Sequence, residues 1–118
     1  MAMKKSNPIE EKSFAFAVRS VNLYKHLTEN KREYILSKQF LRSGTSIGAN
    51  VSEAERGQSR ADFVSKMSIA LKEANETEYW LRLLYASEYI NEAEFQSMSR
   101  DVNELISLLV AICKSTSK

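Results

Sequence analysis

The sequence is poor in the residues that interrupt regular structure, with three glycines and one proline in 118 residues. An all-β fold needs many tight turns, which these residues usually supply, so the composition leaves little room for one. Long helices are the natural alternative. No apolar run approaches the roughly 18 residues that a membrane-spanning helix needs. Because no apolar segment follows the lysines near the start, we expect no signal peptide, no membrane association and a cytoplasmic location.

Cysteine and histidine are also scarce, with one of each. Cys113 has no partner for an internal disulfide, and its apolar surroundings in the sequence predict a buried structural thiol. His26 has no glutamate three residues before it, so the Glu-x-x-His pattern of di-iron bundles is absent. No serine or cysteine can be matched to a base for nucleophilic catalysis. We therefore predict no catalytic residues, no metal site, no cofactor and no enzymatic activity.

Helix start signals occur four times, each as a capping residue followed three positions later by an acid. They predict helices over about residues 8–28, 31–56, 60–87 and 92–114, with polar tails at 1–6 and 115–118. Gly57 is expected to close the second helix in the left-handed conformation. Links of a few residues make neighbouring helices antiparallel, so we predict one all-α domain over residues 1–118, an antiparallel up-down-up-down four-helix bundle. The four signals are Asn7 with Glu10, Asn30 with Glu33, Ser59 with Asp62, and Asn91 with Glu94.

Apolar residues at spacings of three and four predict which face of each helix lies in the core. In the first helix the stripe comprises Phe14, Ala17, Val18, Val21, Tyr24 or Leu23, and Leu27. In the third it comprises Phe63, Met67, Ala70, Leu71, Ala74, Leu81 and Leu84. In the fourth it comprises Phe95, Met98, Val102, Leu105, Ile106, Leu109 and Ile112.

Two glycines, Gly44 and Gly48, lie inside the second predicted helix. Each costs a helix interior about 1 kcal/mol relative to alanine, so their presence needs a reason. Four residues apart, they share one face and would allow another helix to approach closely. A phosphate-binding loop is the other interpretation, but it would need a preceding strand and a lysine after the glycine, and neither is present.

Polar residues form one stripe on the second helix and another on the third. The stripes are either solvated outer faces or a paired network between helices or subunits, in which each buried charge needs a partner. The first stripe comprises Gln39, Arg42, Ser46, Asn50 and Glu53, and the second Asp62, Lys66, Glu73, Glu76 and Trp80.

Positive charge is concentrated in the first part of the chain. Residues 1–42 hold nine Lys or Arg against four Glu, whereas residues 43–118 hold eight basic and eleven acidic residues. This half is either a solvated charged face or a surface that binds phosphates with little sequence preference. No zinc knuckle, RNP-like aromatic pair or helix-turn-helix accompanies it. The candidate nucleic-acid contacts are Arg19, Lys25, Lys31, Arg32 and Lys38.

The run QFLRSGTSIGANVSEA over residues 39–54 resembles the four-helix-bundle family of proteins encoded in intervening sequences of bacterial 23S rRNA genes. The resemblance continues through DF at 62–63, KM at 66–67, IALKEA at 69–74 and ETEYWL at 76–81. It implies an up-down bundle that assembles into a ring-like homopentamer, without enzymatic activity. A related branch, the accessory variability protein of diversity-generating retroelements, is strongly basic and binds nucleic acid and a reverse transcriptase. This chain carries a net charge of only +2.

The resemblance favours a structural or inter-subunit network over a solvated face at the matched polar positions. We therefore expect a non-enzymatic oligomeric scaffold or binding module that binds RNA or other nucleic acid weakly through the basic first hairpin. The alternative is an adaptor whose ring presents a surface to a protein partner such as a polymerase. The network positions are Arg42, Ser46, Asn50, Glu53, Lys66, Glu73, Glu76 and Trp80.

Overall fold

The structure, a computed structural model, describes residues 7–116 as four helices: α1 Pro8–Glu29, α2 Leu36–Glu55, α3 Arg60–Ala86 and α4 Glu92–Thr116. Residues 7–116 contain no β-strand. The predicted all-α four-helix architecture is confirmed. Of the predicted polar tails, residues 1–6 and 117–118 lie outside the described part, whereas Thr116 ends α4. No helix in the described part is long and apolar enough to cross a membrane.

Three of the four predicted start signals cap a helix. The Asn7 side chain accepts a hydrogen bond from the N–H of Ile9 at 3.2 Å, ahead of Pro8 in the first turn of α1. Ser59 Oγ accepts from the N–H of Asp62 at 3.0 Å. Asn91 and Glu94 each accept from the other's backbone N–H at 2.8 Å, so α4 begins with a reciprocal capping box.

The fourth signal is wrong, because α2 begins at Leu36 rather than at residue 31. Asn30 instead ends α1, where its N–H donates to the carbonyl of His26. Glu33 caps α2 from further along: its carboxylate accepts from the N–H groups of Leu36 at 2.9 Å and Ser37 at 2.7 Å. Asparagine suits either end of a helix, so the Asn30–Glu33 pattern did not distinguish an end from a start.

Gly57 does not adopt the predicted left-handed conformation, since no described glycine has a positive φ. Its N–H closes a tight turn on the carbonyl of Ala54 at 3.1 Å. A Cβ on Gly57 would lie 3.3 Å from Cβ of Asp62, so the close approach of the next helix accounts for glycine here. Within residues 7–116, positive φ occurs at two non-glycine residues, Arg32 in the α1–α2 link and Glu88 in the α3–α4 link.

Later residues of α1 contact earlier residues of α4, as expected for antiparallel helices. Lys12 pairs with Glu104 at 2.9 Å and Arg19 with Asp101 at 2.5 Å. His26 Nε2 lies 3.9 Å from Glu94 Oε2, nearer the start of α4. Equivalent reversed pairs join the other neighbouring helices, so the bundle is antiparallel. Between α1 and α2 these are Ser13 with Gly48 and Ser20 with Gly44. Between α2 and α3 they are Glu53 with Lys66 and Arg42 with Glu73, and between α3 and α4 they are Tyr85 with Phe95 and Ser68 with Cys113.

The core residues of α3 and α4 follow the predicted stripes, but in α1 only Leu27 and the alternative Leu23 are buried as predicted. Phe14, Val18 and Val21, predicted to be buried, are 71%, 46% and 38% exposed. The prediction failed because α1 is apolar on two faces and its true inner face includes two serines, which break the apolar periodicity. The buried residues of α1 are Ile9, Ser13, Phe16, Ser20, Leu23 and Leu27.

Cys113 is half-buried rather than fully buried. It lies near the end of α4, where its Sγ is 3.9 Å from Oγ of Ser68 in α3. The last turns of α4 pack less deeply than its middle, in which Val102, Leu105 and Leu109 are buried. The predicted buried thiol is therefore only partly correct.

Candidate functional site

A polar cluster lies at the edge of the contact between α2 and α3. Arg42 Nη1 is 3.4 Å from Glu73 Oε2, and Arg42 Nη2 contacts Glu76 Oε2. The indole N–H of Trp80 donates to the same Glu76 oxygen at 3.1 Å. One guanidinium therefore links two half-buried carboxylates of α3 to α2.

A second ion pair lies nearer the other end of these two helices, where Lys66 Nζ is 2.8 Å from Glu53 Oε1. The hydrogen bond and charge of Glu53 raise the pKa of Lys66. Two further candidates, Ser46 and Asn50, do not reach α3: each donates to a carbonyl one turn earlier in α2, those of Arg42 and Ser46 respectively. We name the six residues that join the helices the α2–α3 polar seam: Arg42, Glu53, Lys66, Glu73, Glu76 and Trp80.

Sequence reasoning missed a buried hydroxyl pair beneath this seam. Thr77 Oγ1 lies 2.9 Å from Ser43 Oγ and 2.8 Å from the carbonyl of Glu73. Both side chains are fully buried. Ser43 lies in the run over residues 39–54, and Thr77 lies one turn after Glu73, so helical spacing could have placed both at the contact between α2 and α3. Short hydroxyl side chains are equally common on the surface, so the spacing alone did not indicate a buried pair.

Gly44 and Gly48 lie where α2 crosses α1. A Cβ on Gly44 would meet Ser20 Oγ at 2.5 Å, and one on Gly48 would meet the carbonyl oxygen of Ser13 at 3.1 Å. The glycines therefore allow the two helices to approach until α2 touches the α1 backbone. Ser20 satisfies its own hydroxyl by donating to the carbonyl of Phe16 at 2.9 Å, so the close approach leaves that hydroxyl with a partner.

The five candidate nucleic-acid contacts divide into one residue with an ion-pair partner and four without one. Arg19 donates to Asp101 and to Ser97 Oγ at 2.8 Å, so it belongs to the α1–α4 contact. The other four are exposed and form no ion pair with any residue in the range 7–116. We name them the hairpin cations: Lys25, Lys31, Arg32 and Lys38, all on α1, α2 or their link.

A cleft of about 320 Å³ opens at the end of the bundle that carries the α1–α2 and α3–α4 links. The ring of Tyr85 stacks on Phe95 with centroids 4.6 Å apart and planes at 8°. We name this the end cleft, which is lined by Lys31, Tyr85, Glu88, Tyr89, Ile90 and Asn91. Its two sides are more than fifty residues apart in sequence, so only the antiparallel topology brings them together.

Three apolar side chains project from the outer face of α1. Phe14, Val18 and Val21 follow a spacing of four and three, and each is exposed. A contiguous exposed apolar patch of this kind is typical of an interaction surface. We name these three residues the α1 apolar stripe.

Among residues 7–116 there is no group of three or more potential metal ligands. His26 lies with Nδ1 2.9 Å from Nδ2 of Asn30 and Nε2 3.9 Å from Glu94. These neighbours offer it no hydroxyl or thiol to activate. The polar chemistry of the described surface consists of ion pairs, cations and aromatic rings.

Comparison with known proteins identifies a family and a similar solved structure. The profile of a family described as 23S rRNA-intervening sequence protein matches residues 5–111. The crystal structure of a protein of unknown function from the S23 ribosomal protein family of Bacteroides thetaiotaomicron VPI-5482 superposes with a TM-score of 0.90 at 57% identity, covering 92% of this chain and 96% of that one. No curated protein sequence matches.

Proposed function

Since the chain belongs to the 23S rRNA-intervening sequence protein family, we propose that it is a non-enzymatic, oligomeric binding module that binds RNA weakly through its first hairpin. The observation that carries this proposal is the set of hairpin cations. They share one helical hairpin, they are exposed, and no carboxylate of residues 7–116 pairs with them.

At least five of the ten other Lys and Arg residues in the range 7–116 are already engaged in ion pairs. Lys12, Arg19, Arg42, Lys66 and Arg82 each form an ion pair. An engaged cation must lose its partner before it can bind a phosphate, whereas a free one only releases its counterion. Lys72 and Arg100 are also exposed and form no ion pair within residues 7–116, but they lie on different helices, α3 and α4. The hairpin instead groups four such cations, so a nucleic-acid backbone can contact several of them together.

The expected binding is weak and strongly dependent on salt. Up to four phosphate contacts to a single strand give a slope of log affinity against log salt of up to about −3. Dissociation constants of roughly 10⁻⁴ to 10⁻⁶ M at physiological salt are typical of such nonspecific contacts. No sequence preference is expected from these contacts alone.

The test is fluorescence anisotropy of a labelled RNA, titrated with the protein over a range of salt concentrations. Lys31→Gln with Arg32→Gln should flatten the salt slope by about 0.7 for each phosphate that the variant no longer binds. The matched control is Lys72→Gln with Arg100→Gln, because both residues are exposed cations outside the hairpin that form no ion pair within residues 7–116. Absence of binding to any RNA or DNA at low ionic strength would overturn the proposal, as would equal reductions of affinity in the two double variants.

The α1 apolar stripe supports the oligomeric part of the proposal. A second copy of the chain would remove Phe14, Val18 and Val21 from water, and each buried Val or Phe side chain contributes roughly 1.5–3 kcal/mol. Light scattering after size exclusion measures the assembly directly. A mass near five times 13.5 kDa is expected for the pentamer.

The alternative function, an adaptor for a protein partner, is favoured by the same stripe if copies of the chain do not cover it. A mass equal to one chain would leave the stripe open for a different protein. It would also overturn the oligomeric part of the proposal. The mass measurement therefore separates the two functions before any partner is sought.

A further inference from the structure

We propose that the end cleft is the site at which this protein holds one unpaired nucleotide of a single-stranded RNA. The inference rests on the proposed RNA binding and gives it a location and a preference for single strands. The supporting observation is that one end of the bundle places the rings of Tyr85 and Tyr89 beside Lys31, which forms no ion pair within residues 7–116.

The aromatic part is a stack of two rings with an accessible outer member. Tyr85 is stacked on Phe95 at 4.6 Å, lines the cleft, and is 37% exposed. Tyr89, half-buried, lines the same cleft. Unpaired bases stack on such rings without regard to sequence, because every base has a π face. A base lying on Tyr85 would extend the existing stack.

The cationic part comes from the first hairpin. Lys31 lines the cleft and is exposed, with no carboxylate of residues 7–116 within ion-pair distance. Arg32 follows it in the same link. A nucleotide whose base stacks on the ring would place its phosphate towards the opposite wall, where Lys31 provides the positive charge.

The cleft also contains one carboxylate, that of Glu88. It would repel a phosphate but accept hydrogen bonds from the N–H groups of a base. Guanine presents two neighbouring N–H donors on its pairing edge, which match the two carboxylate oxygens, whereas uracil presents one. We therefore expect guanine to be favoured over uracil.

The size of the cleft limits what it can hold. Its volume of about 320 Å³ is at the lower end of ligand pockets, which span roughly 300–1,000 Å³. One base fits such a space, but a duplex does not, because its bases are already stacked and paired. Single strands should therefore bind more tightly than duplexes of the same sequence.

The experiment compares a guanine-rich single-stranded RNA, its uracil-rich counterpart and the duplex form of the first, using the full chain and anisotropy. Lys31→Gln and Tyr85→Ser should each weaken single-strand binding, by about tenfold for the stacking residue. Tyr85→Phe keeps the ring and should retain the stacking contribution that Tyr85→Ser loses. Lys72→Gln removes an exposed cation elsewhere and should bind as the unmodified protein does.

Circular dichroism checks that each variant is folded. If Tyr85→Ser does not fold, the test is whether Lys31→Gln removes the preference for the single strand, since loss of a hairpin cation alone would weaken binding of single strand and duplex alike.

A second readout uses 2-aminopurine placed in the single strand. Stacking on Tyr85 should quench its fluorescence, and Tyr85→Ser should restore it while Tyr85→Phe does not. Equal affinity for single strand and duplex, unchanged by Lys31→Gln and Tyr85→Ser but lowered by Lys25→Gln with Lys38→Gln, would overturn the cleft and leave the hairpin function standing. Absence of binding to every RNA at low ionic strength would overturn both.

Discussion

At the scale of single residues, Glu33 is an acid in a nearly buried position, 8% exposed. Burial alone would raise its pKa, but hydrogen bonds from the backbone N–H groups of Leu36, Ser37 and Ile35 more than compensate, so the pKa lies below its ordinary value of 4.5. The charged carboxylate thus holds the first turn of α2. We predict that Glu33→Gln lowers the free energy of unfolding by about 1–2 kcal/mol, measured by urea denaturation at neutral pH.

The pH dependence of this effect follows from the direction of the shift. A carboxyl whose folded pKa is lowered contributes stability above its unfolded pKa and loses it as the pH falls through the folded value. The difference between wild type and Glu33→Gln should therefore shrink below pH 4.5. Glu29→Gln is the control, since this exposed glutamate in α1 should show little change. A difference that stays constant into acid would contradict the prediction.

Glu76 has two partners in the α2–α3 polar seam, since it accepts from both Arg42 and Trp80. We predict that Glu76→Gln lowers stability by only about 0.5–1 kcal/mol, because the Arg42 side chain is 51% exposed and water screens the pair. The emission of Trp80, the sole tryptophan, should shift as the charge beside its indole disappears.

The control for that change is Glu78→Gln, whose partner Arg82 lies on the same helix at 3.1 Å. It removes one charge from α3 without touching the contact with α2. An equal shift of Trp80 emission in this variant would show that the fluorescence reports the charge of the helix in general, and the assignment to Glu76 would fail.

At the scale of helices, local chemistry predicted most of the fold. Caps at Asn7, Ser59 and Asn91 act within one turn, so short sequence patterns were enough to locate three helix starts. The face of α1 was not predictable in this way, because its inner face is defined by its fit to Gly44 and Gly48 of another helix. The end cleft was missed for the same reason, since its walls meet only through the topology of the whole bundle.

A substitution at Gly44 tests how tightly α1 and α2 are packed, because this residue lies close to Ser20 of α1. At an open helix position Gly→Ala would stabilise by about 1 kcal/mol, but here the new Cβ would lie 2.5 Å from Oγ and 3.1 Å from Cβ of Ser20. We predict that Gly44→Ala instead destabilises the protein by about 1–2 kcal/mol, measured by urea denaturation.

The partner substitution tests whether that close approach is the cause. In a Ser20→Ala background the closest atom is gone, so Gly44→Ala should cost about 1 kcal/mol less than in the unmodified protein. Ala49→Gly, an exposed site in the same helix, should lower stability by about 1 kcal/mol from helix propensity alone. A stabilising effect of Gly44→Ala would contradict the prediction, because it would mean that α1 and α2 move apart easily to accommodate the new Cβ.

At the scale of the whole molecule, the bundle measures 45 × 31 × 22 Å, and its surfaces differ in chemistry. Ion pairs link α1 to α4, including Lys12 with Glu104 and Arg19 with Asp101. The outer face of α1 is apolar, and the end with two chain links carries cations and aromatic rings. An assembly through the α1 apolar stripe would leave the end cleft open, so oligomerisation and nucleotide binding in the cleft use separate surfaces. Of the hairpin cations, Lys25 continues the stripe one turn after Val21 on the same face of α1.

The α1 apolar stripe is exposed and lies outside the core, so we predict that it can be altered without loss of the fold. Phe14→Gln with Val18→Gln changes side chains that are 71% and 46% exposed, so the stability of a single chain should change by no more than about 0.5 kcal/mol per site. The mass in solution should nevertheless fall to 13.5 kDa, because apolar area between copies is no longer buried. The control, Ile69→Gln with Tyr79→Gln, alters two exposed apolar residues of α3 and should leave the mass unchanged. If both double variants keep the mass of the unmodified assembly, copies of the chain meet through another face and the stripe has a different partner.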